Sequence, residues 1–149
     1  MRAVIQRVSH AKVTVDNQEI SSIGCGLLVF LGVEQGDNDL DLQYVCRKIA
    51  GLRVFEDENG KMNLSLDAVK GSLLIVSQFT LMADLKHGSR PSFSAAGDPD
   101  IGRAYYEKAI LLFQGMGIPT KAGVFGADMA VELCNDGPVT LLLSSRKDF

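Results

Sequence analysis

The sequence predicts a mixed α/β (α+β) fold, a single compact domain over residues 1–149 in which β-hairpins and a mixed sheet or barrel pack with two main helices. Three observations predict it. Short apolar runs of strand length occur in three groups along the chain, and an amphipathic segment separates each group from the next. Turn-forming residues stand between neighbouring runs. The length of 149 residues is typical of one domain with its own hydrophobic core.

The N-terminal group predicts a β-hairpin followed by a buried strand. In Ala11–Val15, "AKVTV", every second side chain is apolar, which is typical of a strand with one covered face. Asp16–Gln18 is a turn signal, so a second strand is expected to return beside the first. Gly26–Val33, "GLLVFLGV", is apolar without alternation, which is typical of a strand covered on both faces.

The first helix is predicted over Leu42–Leu52, "LQYVCRKIAGL", where apolar residues recur at helical spacing. Acidic and amide side chains precede it from Asp37 to Asp41, spaced like calcium ligands. No glutamate completes a calcium loop, because Arg47 and Lys48 fall where it would be needed. We therefore interpret these residues as the cap and first turn of the helix, where negative charge opposes the positive end of the helix dipole.

The middle of the chain predicts a hairpin around the turn Asp57–Gly60, then a buried strand over Gly71–Leu81, "GSLLIVSQFTL". After a loop rich in Gly, Ser and Pro, Asp98 is a candidate N-cap, Pro99 the first residue of the second helix, and Gly117 its end. The apolar stripe predicted for this helix consists of Ile101, Tyr105, Ala109, Leu112 and Met116.

The C-terminal group predicts two strands joined by a tight turn. Lys121–Cys134 contains a strand pattern in which Met129, Val131 and Leu133 share one face. Asn135–Gly137 has the residue types of a hairpin turn, and the last strand, "VTLLLSS", follows Pro138. Two interpretations of this proline stay open at this point. It is an ordinary first residue of a strand, or it fixes a peptide whose carbonyls point at a ligand.

Composition excludes several functions. The net charge of −3, from 15 Lys and Arg against 18 Asp and Glu, argues against a grip on a long nucleic-acid backbone. Three distant cysteines and two histidines, without a CxxC pair, give poor support to a disulfide scaffold or a zinc site, so no metal or cofactor is expected. No signal-peptide core and no apolar run of about 20 residues is present, so we expect a cytoplasmic protein without a membrane partner.

No familiar catalytic motif is present. His10, expected at a strand end, and His87, in a loop, are weak candidates for a base, and Cys134 is expected to be a buried structural thiol. Ser77, Gln78 and Thr80 remain, at the end of a predicted buried strand. Backbone N–H groups there could polarise a carbonyl, and Thr80 could act as a nucleophile, although no adjacent base is visible. The alternative is a strand end that frays into solvent.

Two short motifs give the chain a family resemblance. "SQFTL" (Ser77–Leu81) together with "NDGPVT" (Asn135–Thr140) resembles the paired signature of the D-aminoacyl-tRNA deacylases. Other parts match in the same order, so the resemblance runs from end to end. They are Ile5–Val8, Val13–Val15, Gly26–Val33, Gly60–Ser65 and Arg90–Ser94.

The resemblance implies a fold of that family and a homodimeric esterase. Its substrates would be D-aminoacyl-tRNA and glycyl-tRNA, including glycine mischarged on tRNA-Ala, so that it would carry out chiral proofreading in translation. A cis peptide at Gly137–Pro138 would enter the partner subunit's pocket, where its carbonyls receive the substrate amino group and exclude an L side chain. Ser77, Gln78, Phe79 and Thr80 would line the pocket.

The catalytic group is left open by the resemblance. Thr80 is one possibility, and the other is the terminal ribose 2′-hydroxyl of the tRNA acting on water. We prefer the second possibility, because it explains why the sequence shows no catalytic triad. Lys86, His87 and Arg90 are candidates for contacts with tRNA phosphates, the alternative being a solvated loop.

Two rival functions also stay open. One is a nucleic-acid-binding module of the same fold that does not hydrolyse its ligand. The other is a hydrolase for a different small aminoacyl ester or amide.

Overall fold

A six-stranded mixed sheet organises the protein in the computed structural model, which describes residues 1–149. The first strand, β1, is the central one, because it pairs antiparallel with β2, β3 and β8. Its N-terminal part pairs with β3 and its C-terminal part with β2, while β8 runs along the opposite edge. β6 continues the sheet parallel to β3, and β7 is parallel to β6. The strands are β1 (Arg2–Val15), β2 (Gln18–Ile23), β3 (Gly26–Gly32), β4 (Phe55–Glu56), β5 (Met62–Leu64), β6 (Ser72–Ser77), β7 (Thr120–Ala122) and β8 (Ala130–Ser144).

The curvature of this sheet brings its two ends together. The Ser21 hydroxyl on β2 donates a hydrogen bond of 2.8 Å to the carbonyl of Ala122 on β7. A second, small sheet consists of the antiparallel hairpin β4–β5, as the turn signal at Asp57–Gly60 predicts. The predicted α+β class with a near-barrel sheet is confirmed.

Two hydrophobic clusters explain why β3 and β6 are apolar without alternation. Leu27 and Val29 of β3 belong to the larger cluster, which includes both helices, whereas Leu28 belongs to a smaller cluster with Leu74 and Val76 of β6. Both faces of these strands are therefore buried, and alternation would place polar side chains in a core.

The first helix, α1, spans Asp39–Ala50 and begins three residues earlier than predicted. Asn38 is its N-cap: its side-chain oxygen accepts a hydrogen bond of 2.8 Å from the Leu40 N–H. The Asp41 carboxylate accepts one of 2.9 Å from the Asn38 N–H, which completes a capping box. The interpretation of this acidic segment as a helix start is confirmed.

The second helix, α2, spans Pro99–Gly115, with Asp98 at the N-cap and Pro99 at the first position, as predicted. Its predicted apolar stripe is confirmed in the middle, where Ala109 is buried and Tyr105 and Leu112 pack half-buried against the core. The stripe is wrong at its two ends, where Ile101 and Met116 are 48% and 42% exposed. Apolar residues lie all around this helix, so spacing alone does not identify the buried face. The residues that it buries are Gly102, Tyr106, Ala109 and Phe113.

Several predicted boundaries and placements near the C-terminus and β6 are also wrong. β8 is one continuous strand, so Asn135–Gly137 is not a turn between two strands. β6 ends at Ser77, and a short 3₁₀-helix over Phe79–Met82 follows it. Cys134 is exposed on β8 because its side chain lies on the outer face of the strand. His10 lies inside β1, not at its end.

None of the helices is both long and apolar enough to cross a membrane.

The parallel contact between β3 and β6 leaves no room for a side chain at Gly26. A Cβ there would lie 1.8 Å from the Ser72 carbonyl oxygen, whereas a Cβ at Gly24 would meet nothing within 4 Å. We expect Gly26→Ala to lower the free energy of unfolding by about 3 kcal/mol, because the two strands must separate to relieve the clash. Urea unfolding measures the change, with Gly24→Ala as the matched control. Equal midpoints for the two variants would contradict this packing.

Candidate active site

A cavity of about 800 Å³ opens where β6 ends. Ser77, Gln78 and Phe79 form one wall, and the segment from Phe125 to Met129 forms another. The first turns of α2 close the cavity on a third side. The structure therefore brings three of the four predicted pocket residues to one cavity, whereas Thr80 is exposed and does not line it.

Backbone hydrogen bonds fix the Ser77–Phe79 wall. The Gln78 N–H donates to the Leu31 carbonyl at 2.8 Å, so the sheet continues one residue beyond the last residue of β6. The Gln78 N–H is thus already paired and is no free donor to a ligand. The Phe79 ring, which is 59% exposed, packs edge-on against Phe93 with ring centroids 5.1 Å apart. This contact joins the "SQFTL" motif to the "RPSFS" motif.

The Thr80 hydroxyl has no base beside it. It accepts a hydrogen bond from the Gln78 side-chain amide, and no lysine, histidine or carboxylate hydrogen-bonds to it. A hydroxyl in this environment keeps its proton and is a poor nucleophile. The surroundings of Thr80 therefore favour catalysis by other groups.

The Gly137–Pro138 peptide bond is cis, and it lies outside the cavity of its own chain. Along β1 and β8, Val8 pairs with Asn135 and Gln6 pairs with Thr140, so four residues of β8 bulge out opposite the single residue between them. The bulge carries Gly137–Pro138. Within one chain, the structure does not bring the two predicted motifs together.

The residue opposite the bulge is Arg7, which none of the sequence motifs identifies as a functional residue. Its side chain is 6% exposed, and Nε donates to the Asp136 carbonyl at 3.0 Å while Nη1 donates to the Val54 carbonyl at 2.7 Å. A buried guanidinium needs such partners, and here they tie the bulge to the strand beneath it. The sequence feature that could have identified Arg7 is a basic residue on the face of the strand whose other side chains point into the core.

Asn135 and Thr140 hold the two ends of the bulge. The Asn135 side-chain oxygen accepts from the Val139 N–H at 3.0 Å, and its amide nitrogen donates to the Thr140 hydroxyl at 2.9 Å. The first and last residues of "NDGPVT" are therefore the residues that close the bulge around Gly137–Pro138.

The candidate phosphate contacts lie in an exposed loop. Lys86, His87 and Arg90 are all exposed, and neither Lys86 nor Arg90 forms an ion pair with a carboxylate. Asp84 and Ser92 close the loop through two backbone hydrogen bonds of 2.8 and 3.0 Å. Ser92 immediately precedes Phe93, so the loop begins and ends beside the cavity. No cluster of three or more metal-ligating side chains is present.

Comparison with known proteins places the chain in a class of enzyme, the hydrolases that remove an acyl group. The model of the family described as D-Tyr-tRNA(Tyr) deacylase matches residues 4–144, and the chain belongs to this family. Proteins named D-aminoacyl-tRNA deacylase are similar to it over nearly their whole length. The one from Geobacter sulfurreducens is 53% identical over 98% of this chain and 96% of its own. The one from Thermotoga petrophila is 51% identical over 100% of both chains.

Solved structures share the fold. One named "c-Myc DNA Unwinding Element Binding Protein" is 41% identical, with a TM-score of 0.92 over 97% of this chain and 98% of that one. Another, described as a probable eukaryotic D-amino acid tRNA deacylase, is 18% identical with a TM-score of 0.80 over 95% and 97% of the two chains. At that identity the second likeness shows the fold alone.

Proposed function

We propose that the protein hydrolyses the ester bond between a D-amino acid and the 3′-terminal adenosine of tRNA, releasing the free D-amino acid and the tRNA. The observation that carries this proposal is the cavity at the end of β6, with Ser77–Phe79 as one wall, in a chain of the deacylase family. Its volume of about 800 Å³ suits an aminoacyl-adenosine, because small-molecule sites usually span ~300–1,000 Å³.

The chemistry requires little from side chains. An aminoacyl ester is already activated, so holding it in place and polarising its carbonyl with backbone N–H groups supply much of the catalysis. The terminal 2′-hydroxyl of the tRNA helps to activate the attacking water. The hydroxyl of Thr80 is not the nucleophile, in agreement with its lack of a base.

Substrate selection uses a second copy of the chain. The Gly137–Pro138 bulge of one subunit enters the cavity of the other, and its carbonyls accept hydrogen bonds from the substrate amino group. The bulge is held by Arg7 at a position outside the cavity of its own chain, which supports its insertion into the cavity of the partner subunit. A homodimer of this kind would bury at least roughly 1,200 Å² in total.

The protein then selects D-aminoacyl esters by sterically excluding L side chains. The bulge leaves no room on the side where an L side chain would project, while D side chains point away from it. Glycine has no side chain to exclude, so glycyl-tRNA, including glycine mischarged on tRNA-Ala, is a second substrate. The protein would thus proofread chirality during translation.

Only the end of the tRNA enters the cavity, which agrees with the net charge of −3. Lys86 and Arg90, exposed and without carboxylate partners, contact phosphates near the terminal adenosine, with His87 between them. Because the proposed substrate is formed where translation occurs, we place the protein in the cytoplasm.

Turnover of D-tyrosyl-tRNA separates this function from its rivals. We expect the protein to release D-tyrosine from the tRNA at least about 100-fold faster than from D-tyrosine ethyl ester, because only the tRNA ester brings the ribose hydroxyl. Release is followed with radiolabelled amino acid. Binding of the tRNA without release would indicate a binding module, and equal rates on both esters would indicate a general aminoacyl esterase.

A further inference from the structure

The Tyr106 hydroxyl is a buried hydrogen-bond donor beside the cavity. Tyr106 is 4% exposed, and its ring lines the cavity. Its hydroxyl lies 3.0 Å from the Ile75 carbonyl oxygen and 3.1 Å from the Gly123 carbonyl oxygen. Burial raises the pKa of this phenol to about 12, so at neutral pH it is protonated and its single hydrogen is shared between these two acceptors.

Backbone hydrogen bonds join β6 to the parallel strand β7 and to Gly123, the residue after it. This series of bonds ends where the Tyr106 hydroxyl binds. In a parallel pair, every second residue bonds to the same neighbour. The Leu73 N–H donates to the Pro119 carbonyl at 2.8 Å, and the Gly123 N–H donates to the Ile75 carbonyl at 3.0 Å. The next bond in this series would run from the Ser77 N–H to the Gly123 carbonyl, and it is absent. The Gly123 carbonyl accepts from Tyr106 instead.

The chain beyond Gly123 then diverges from β6, and the cavity opens between them. Phe125 packs against α2, where its ring lies 6.0 Å from that of Tyr106. The ring also lies beside Gly102, where a Cβ would be in ordinary van der Waals contact with it at 3.4 Å. The Ser77 N–H is on the side of β6 away from β3, because the neighbouring Gln78 N–H donates to β3. It therefore points to the cavity.

We propose that Tyr106 is a positioning residue that holds the Gly123 carbonyl away from β6 and so keeps the Ser77 N–H free to donate to the carbonyl oxygen of the scissile ester. This inference rests on the proposed function. It assigns one specific backbone donor to the polarisation step, at a place where the Gln78 N–H is already paired.

Removal of the hydroxyl has a defined structural consequence. In Tyr106→Phe the carbonyl of the half-buried Gly123 loses its partner, and a carbonyl that is shielded from solvent without a partner is unfavourable. The Ser77 N–H is its next partner in the ladder. We expect a new hydrogen bond from the Ser77 N–H to the Gly123 carbonyl. It extends the pairing of the two strands by one bond and removes the Ser77 donor from the cavity.

Steady-state kinetics on D-tyrosyl-tRNA and amide hydrogen exchange test the proposal together. For Tyr106→Phe we expect kcat to fall by about 10- to 100-fold, in line with the loss of one such donor, while KM changes by less than about threefold. Exchange at the Ser77 amide is expected to slow. Tyr105→Phe is the matched control, because that half-buried hydroxyl on the same helix makes no hydrogen bond, and it should behave as wild type in both measurements.

Each other outcome overturns the proposal. An unchanged kcat with a raised KM would mean that Tyr106 shapes the opposite wall and not the donor. Faster exchange at Ser77 together with a lower melting temperature would mean a purely structural role. If the wild-type protein released no D-tyrosine at all, the proposed function would fail. The exchange comparison, which needs no substrate, would still decide whether Tyr106 frees the Ser77 N–H.

Discussion

D-tyrosyl-tRNA that ends in 2′-deoxyadenosine is expected to be hydrolysed about 100-fold more slowly, or worse, than the same tRNA with its ordinary terminal ribose. The reason is that the Ser77–Thr80 segment supplies no group able to activate water, since Thr80 has no base beside it and its hydroxyl accepts a hydrogen bond from the Gln78 amide. A proton-transfer group placed on the substrate is typically worth ~10²–10⁴ in rate, and this segment offers no replacement for it.

The companion measurement concerns Thr80 itself. Thr80→Ala should keep its rate on the ordinary substrate within about threefold, since the residue does not line the cavity and the hydroxyl is not activated. Single-turnover rates on the two substrates, with the tRNA carrying the amino acid on the 3′-hydroxyl in both, give the comparison. A trapped acyl group on Thr80, or full activity on the deoxy substrate, would contradict the substrate-assisted mechanism.

Arg7→Leu is expected to lower deacylation of D-tyrosyl-tRNA by about 100-fold or more. The guanidinium holds the Asp136 carbonyl at 3.0 Å and thereby the position of the next two residues, Gly137 and Pro138. A displacement of about 1 Å in a group that orients a substrate can lower the rate by ~10²-fold. Lys12→Gln is the matched control, because Lys12 also joins β1 to β8, through an exposed ion pair with Glu132. It should retain its activity, and thermal melting shows whether each variant is folded.

Mixing two defective variants tests whether the Arg7 effect acts across subunits. Phe79→Pro removes one N–H from the cavity wall at the first position of a 3₁₀-helix, where proline is tolerated. In a dimer of Arg7→Leu with Phe79→Pro, one site combines an intact wall with an intact bulge. Random assortment should therefore restore about a quarter of the wild-type activity. If mixed dimers form and no activity returns, each bulge does not serve its partner's cavity.

Sequence predicted the local features of this fold well because local interactions determine them. The cap at Asn38 and the proline at the start of α2 act through backbone groups within one helical turn. The apolar runs of β3 and β6 report burial on two faces directly. These elements need no knowledge of distant residues.

The features that sequence did not predict depend on distant partners. Asn135–Gly137 has the composition of a hairpin turn, yet both flanks of this segment pair with the same strand, and Arg7 fills the space beneath the resulting bulge. The prediction for α2 selected Tyr105 and missed Tyr106 for a similar reason, since the Tyr106 hydroxyl finds its partners in the carbonyls of Ile75 and Gly123. Ser77 and Gln78 were found as polar residues at the end of a buried strand and Phe79 through the family resemblance, whereas the residues that support them have no local signature.

Hydrolysis of D-tyrosyl-tRNA and L-tyrosyl-tRNA, prepared on the same tRNA and measured at equal enzyme concentration, shows whether the protein is a deacylase that selects by chirality. We expect rapid release of D-tyrosine and a rate on the L ester at least about 100-fold lower, because the bulge of the partner subunit excludes the L side chain. Equal rates on the two esters, or a faster release of L-tyrosine, would contradict it.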